Sequence, residues 1–242
     1  MTYCVGLMLR AGMVLLSDTR TNAGLDNIAT YRKMFVFEQP GERVIAILTA
    51  GSLSVTQTAI ARLQEAATDD PDATEATSVL QAPTMLQVAE IVGRTLSSVT
   101  REVADKLAVM KQSATASMIV AGQRRGGGMR MFLIYPEGNF IEATEDTPYL
   151  QIGEHKYGKP ILDRVVTPDT SLLDAQKAVL LSMDSTMRSN LSVGMPLDLA
   201  VIEADACRIG LRRRIEPGDP AFAAMSEAWS TALREAFRGI EV

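Results

Sequence analysis

The chain has 242 residues, 47% of them apolar, and a formal net charge of −5. That length suits one large α/β core, and charges of both signs scattered along it call for neither nucleic acid nor an anionic membrane as partner. No stretch reaches the roughly 18 apolar residues of a membrane span, and no basic leader with an apolar run opens the chain, so no export signal is expected.

In chain order, residues 2–9 and 13–16 are short apolar runs around Ala11-Gly12, which reads as a β-hairpin. Residues 17–27 are polar and turn-rich. Residues 33–37 and 43–48 form a second strand pair about Pro40-Gly41. The run Thr49-Ala50-Gly51-Ser52 then opens a helix to about Glu65. Residues 67–83 are acidic, rich in Thr and Ala, and carry Pro71 and Pro83, which predicts a surface loop. Met85, Val88, Val92, Leu96, Val99, Val103, Leu107 and Met110 recur at steps of three and four, the stripe of one long core-facing helix.

Strands follow at 115–122 and 129–135, joined by a glycine-rich turn with Arg124 and Arg125. Shorter strands fall near 139–143 and 149–152. Ser171 and Asp174 form a capping box that opens a helix to about Arg188, with Leu172, Val179, Met183 and Met187 inward. Strands near 197–204 and 207–214 close the sheet region. Asp219-Pro220 starts a last helix, to about 238. It aligns Phe222, Met225, Trp229, Leu233 and Phe237 on one face, which packs on its own domain or on a neighbour.

The order is strands, two helices, strands, two helices, strands, helix. Grouped elements argue against a doubly wound parallel sheet. They predict a single α+β domain over 1–242: two stacked antiparallel sheets with helices on the outer faces. Cys4 and Cys207 read as buried reduced thiols of a cytoplasmic protein. One histidine, His155, and the lack of CxxC or HExxH give a metal site or a His-based triad little support. No cofactor is expected.

The candidate chemistry begins at Thr2. Once Met1 is trimmed, the residue offers a hydroxyl and its own α-amine. An α-amino pKa near 7.7–8.0 leaves a useful fraction of free base at neutral pH. The hairpin returns Asp18 alongside residue 2, and Lys33 opens the next strand. A lysine ammonium there would stabilise a developing alkoxide and lower the amine pKa, with Asp18 holding it in place. Gly51, where a strand turns into a helix, offers backbone N–H to an oxyanion and lets a substrate backbone approach closely.

Thr2-Tyr3-Cys4-Val5-Gly6-Leu7, Ser17-Asp18-Thr19-Arg20, Lys33-Met34-Phe35 and Ala50-Gly51-Ser52 arrive in the order and near the spacing of proteasome β-type subunits, which the chain resembles over its first 55 residues or so. Asp18-Thr19-Arg20-Thr21-Asn22-Ala23-Gly24 and Gln151-Ile152-Gly153-Glu154-His155-Lys156-Tyr157-Gly158 are similar to the bacterial ancestral β-subunit (Anbu) group. The resemblance implies a four-layer αββα N-terminal-nucleophile (Ntn) hydrolase fold. It implies Thr2 as nucleophile and base, Asp18 and Lys33 as the activating pair and Gly51 as the oxyanion donor. It further implies Thr21 and Asn22 as backbone partners of an extended substrate, with Thr49 and Leu53 lining a pocket for a modest apolar side chain.

Three departures stand out. The loop between Asp18 and Lys33 is one residue short. Gly153-Glu154-His155 replaces a Gly-Ser-Gly serine. Asn190-Leu191-Ser192-Val193-Gly194 replaces an Asp followed by Ser-Gly, so that Asn190 or Ser192 is the candidate accessory residue.

The expected activity is therefore hydrolysis of peptides or small amides through an acyl-enzyme on Thr2. The expected assembly is a homo-oligomeric ring or helical spiral, and no ATPase partner is legible. The competing expectations are a catalytically weak scaffold or binding subunit, and an amidase or transamidase on non-peptide substrates.

Overall fold

A computed structural model describes residues 1–22, 28–68, 77–107 and 114–241. Two five-stranded antiparallel sheets are stacked face to face. The first has the order β10-β1-β2-β11-β12, built from Tyr149–Gly153 (β10), Tyr3–Leu9 (β1), Gly12–Asp18 (β2), Leu197–Glu203 (β11) and Leu211–Ile215 (β12). The second has the order β5-β6-β7-β8-β9, from Met34–Gln39, Arg43–Gly51, Ala116–Arg124, Arg130–Ile134 and Phe140–Glu142. Arg20–Asn22 (β3) and Ile28–Thr30 (β4) form a separate two-stranded hairpin.

Helices α1 (Leu53–Thr68) and α2 (Met85–Leu107) cover the second sheet, and α3 (His155–Val165) and α4 (Leu172–Ser189) cover the first. The last helix, α5 (Pro220–Arg238), lies against α4. This is the αββα sandwich of the Ntn-hydrolase type.

Three apolar clusters mark the three interfaces between four layers, and strand alternation distributes the residues among them. In β1, Tyr3, Val5, Leu7 and Leu9 face α3 and α4, while Cys4 faces the other sheet. In β6, Ile45 and Ile47 face α1 and α2, while Val44, Ala46, Leu48 and Ala50 face inward between the sheets. A one-residue slip in either strand would exchange the two sets, so register is strongly fixed.

Several boundaries differ from expectation. The first helix runs on to Thr68. The long helix is described to Leu107, and Met110 and Pro71 lie outside the described residues. Of the expected loop at 67–83, the part that follows the undescribed stretch is not a surface loop: Ser78, Val79 and Ala82 are buried. The cause is a distant cation. Arg43, at the start of β6, donates through Nη1 to the carbonyls of Val79 (3.3 Å) and Ala82 (2.9 Å), which draws that segment onto the core.

The last expected strand begins only at Leu211, because Asp205 and Cys207 have left-handed backbone and shape a turn before it. Helix α3 was given no limits by sequence. The final helix divides. Phe222 and Met225 join the first-sheet core, while Leu233 and Phe237 are exposed.

The caps on α4 and α5 are those the sequence indicates. Ser171 Oγ accepts from the Asp174 amide at 3.1 Å, and Asp219 Oδ1 accepts from the Phe222 amide at 2.9 Å. Both cysteines are free thiols.

Candidate active site

The site lies where β1, β2, β5 and β6 come together at one end of the sandwich. Met1, Thr2, Thr21, Asn22, Lys33, Thr49, Ala50, Gly51, Leu53 and Thr56 line a single cavity of about 250 Å³ there. Seven of these, widely spaced over residues 2–53, are candidates picked from sequence.

Thr2 is held by its neighbours. Its carbonyl accepts the Glu154 amide at 2.7 Å, and the next residue, Tyr3, pairs with Gly153 of β10. Gly153 has φ +81°, and a Cβ there would collide with the Thr2 carbonyl. Only glycine combines that backbone with so close an approach. This explains the glycine that opens the Gly153-Glu154-His155 departure.

Asp18 ends β2 and is fully buried. Its Oδ1 accepts from Lys33 Nζ at 2.8 Å and from the Tyr3 amide at 3.1 Å, and its Oδ2 accepts from the Gly194 amide at 3.3 Å. Lys33 Nζ also donates to the Arg20 carbonyl at 2.6 Å. Burial pushes the Asp18 carboxyl above its usual range, and the attraction of Lys33 with these hydrogen bonds offsets part of that. The Lys33 and Asp18 side chains are 6% and 0% exposed. In such a setting the pair is kept only if both charges stay satisfied. The backbone of Lys33 is fixed as well: its carbonyl accepts the Thr49 amide at 2.9 Å.

Gly51 is the last residue of β6 and stands exposed at the cavity, two residues before α1. Its φ is +107°, and a Cβ would strike the Thr115 carbonyl. Thr49 and Leu53 lie on either side of it. Thr56, one helical turn after Leu53, also lines the wall. Sequence reasoning missed Thr56, although its i+3 spacing from Leu53 on one helix face was the available signal. Thr21 and Asn22 come from β3, and the side-chain oxygen of Asn22 is buried without a hydrogen-bond partner. The motif residues Ala23 and Gly24 lie outside the described residues.

Asn190 and Ser192 are not among the cavity-lining residues. Asn190 caps α4, and its Oδ1 accepts the Ser192 amide at 2.9 Å, which shapes a turn. That turn reaches the site through the backbone of Gly194, whose amide meets Asp18 and whose carbonyl accepts the Thr19 and Arg20 amides. His155, on the first turn of α3, is exposed. Among the described residues, no group of three or more His, Cys, Asp or Glu side chains could hold a metal.

The family model described as "Proteasome subunit" matches residues 2–202. The chain belongs to the proteasome subunit family. It is similar over all of its length to a solved Anbu Gly-1 mutant from Hyphomicrobium sp. strain MC1, at 48% identity, with 99% of that chain covered and a TM-score of 0.92. Anbu from Yersinia bercovieri is 41% identical, with 99% of this chain and 98% of that one covered and a TM-score of 0.91. The helical assembly of the Anbu complex from Pseudomonas aeruginosa is 43% identical, with 99% and 97% covered and a TM-score of 0.91. No functionally curated protein matches. The likeness spans the whole chain, whereas the sequence motifs that first indicated it occupy mainly the opening fifty-five residues.

Proposed function

We propose that the chain is an N-terminal threonine amide hydrolase acting on peptides or small amides. The observation that carries this reading is the single cavity shared by Thr2, Lys33 and Gly51, with Asp18 bonded to Lys33 behind it. Met1 is 64% exposed, within reach of an aminopeptidase, and its removal frees the Thr2 amine. Thr2 Oγ1 then attacks the amide carbonyl while its proton passes to the α-amine. The ammonium of Lys33 stabilises the developing alkoxide and holds down the amine's proton affinity. The Gly51 N–H stabilises the tetrahedral oxyanion.

Collapse breaks the C–N bond, and the leaving amine takes the proton back from the α-ammonium. Water, deprotonated by the same amine, cleaves the ester and releases the acid. Thr21 and Asn22 pair with an extended substrate, and Thr49 and Leu53 receive a modest apolar side chain. The activity is cytoplasmic in this reading.

Self-assembly belongs to the same proposal. Leu233, Phe237 and Ile240 are exposed near the C-terminus. Leu233 also lines a groove of about 370 Å³ with Tyr157, Pro160, Ile161, Val165 and Trp229 among others. Apolar surface of this kind suits a second copy. Among the described residues, no helix is long and apolar enough to cross a membrane.

A scaffold role is the second reading, favoured by the position of Asn190 and Ser192 outside the cavity. A panel of fluorogenic peptide and small amides separates the two. The hydrolase reading expects amine release from at least one short apolar substrate, abolished in Thr2→Ala. Release that persists in Thr2→Ala, or none from the Met1-free parent, rejects it.

A further inference from the structure

Tyr3 follows Thr2 directly, is fully buried, and is bonded at both ends. Its amide donates to Asp18 Oδ1 at 3.1 Å. Its phenol oxygen lies 2.7 Å from Ser182 Oγ on α4 and accepts from Gln151 Nε2 of β10 at 2.5 Å. Helix α3 closes over this cluster at Gly158. A Cβ there would collide with Ser182 Oγ and lie 2.7 Å from the phenol oxygen. The N-cap residue of the same helix, Glu154, holds Thr2 itself, its amide donating to the Thr2 carbonyl at 2.7 Å.

None of these hydroxyl and amide groups takes part in the acyl transfer described above. Buried polar side chains cost free energy unless each finds a partner, and here they sit within an otherwise apolar interface of Val5, Leu162, Val179 and Met183. What such a cluster supplies is direction. Apolar contact tolerates sliding, whereas a hydrogen bond weakens steeply with angle. Burial pushes the phenol up to about 12, so its hydroxyl keeps its proton at neutral pH.

We propose that Tyr3 is a positioning residue for Thr2. Its hydroxyl, locked between Ser182 and Gln151 beneath α3, fixes the start of β1 so that Thr2 stays aligned with Lys33 and Gly51. The inference rests on Thr2 being the nucleophile, and it adds a group that acts through the backbone and touches no substrate.

The test uses the full Met1-free protein, its Tyr3→Phe and Ser182→Ala variants and the double variant. Each is treated with a β-lactone over a range of concentrations, and intact mass is followed in time. In Tyr3→Phe the limiting rate of Thr2 modification should fall about tenfold, while the half-saturating concentration changes less than about twofold. Ser182→Ala should shift the rate in the same direction, and the double variant should be no slower than the slower single one. Amide exchange supplies a reading independent of reactivity. The Glu154 amide should exchange at least about tenfold faster in Tyr3→Phe, while the Leu15 and Val201 amides keep the parent rate.

A folded Tyr3→Phe protein with the parent's limiting rate overturns the proposal, and so does one with parent exchange at Glu154. If Tyr3→Phe does not fold, Ser182→Ala decides by the same two readings. If the parent is not modified at Thr2, the catalytic reading falls, and exchange at Glu154 still decides whether Tyr3 fixes residue 2.

Discussion

The two helical layers of the sandwich are built from different chemistry. The layer of α1 and α2 meets its sheet mainly through hydrocarbon, with Val55, Ile60, Leu63, Val88, Val92, Leu96 and Val99 against Ile45, Ile47, Val120 and Phe132, and with Arg43 bonded to the Val79 and Ala82 carbonyls. The layer of α3, α4 and α5 also has an apolar core, but polar groups run through it. Tyr3 bonds to Ser182, and Ser226 donates to Asp184 at 2.8 Å while accepting from Arg188 at 2.7 Å. Thr186 bonds back to the Ser182 carbonyl. The hydrocarbon layer supplies non-directional stability. The polar layer adds directional bonds, and the amide of Glu154, at the start of its helix α3, is bonded to the Thr2 carbonyl.

Breaking the charge pair should have the largest consequence. Asp18→Asn leaves the Lys33 ammonium buried without its counterion, which costs about 3–5 kcal/mol in urea unfolding. It should also abolish β-lactone modification of Thr2, so both stability and reactivity fall together. Leu96→Ala separates the two. Its side chain is fully buried under α2, so truncation should cost about 2–5 kcal/mol by the same unfolding measurement. The labelling rate of the folded fraction should stay at the parent value, since Leu96 is not among the residues that line the cavity.

A smaller effect concerns alkaline pH. The Tyr3 phenol is raised from its ordinary value of 10.0 to about 12 in the folded protein. Above pH 10 the unfolded chain loses this proton first and binds fewer protons than the native state, so stability falls as pH rises from 10 towards 12. Burial raises the Cys4 thiol as well, which adds a decline that both proteins share. Thermal unfolding against pH should therefore show a shallower loss in Tyr3→Phe than in the parent across that window. The smallest effect is expected at Ser17, whose Oγ is buried without a partner. Ser17→Ala should change stability by no more than about 0.5 kcal/mol, or raise it slightly, because no hydrogen bond is lost.

The contrast between the layers also explains what could be read from sequence. The stripe of α2 and the apolar runs of β1 and β6 are local patterns, and with the grouped order of helices and strands they pointed to the sandwich. Asp18 and Lys33 were legible because a hairpin and its next strand must bring them near residue 2. Helix α3 was counted in the order of elements but given no bounds, because Gly158 and Pro160 interrupt a helical pattern. The contact that requires Gly158 comes from Tyr3 and Ser182, remote in sequence. The burial of Val79 and Ala82 likewise depends on Arg43, far back along the chain. At the 190–194 turn, the side chains of Asn190 and Ser192 suggest an accessory role, whereas the group that reaches Asp18 is the Gly194 amide, which no residue type announces.

The proposed chemistry requires residue 2 to present a reactive hydroxyl in the cavity it shares with Lys33. The most direct measurement is the intact mass and peptide map of purified protein before and after a β-lactone probe. A starting mass lacking Met1 and one probe equivalent per chain, attached at Thr2, are expected. A Met1-free protein that keeps its unmodified mass at saturating probe, or carries the label elsewhere, would contradict it.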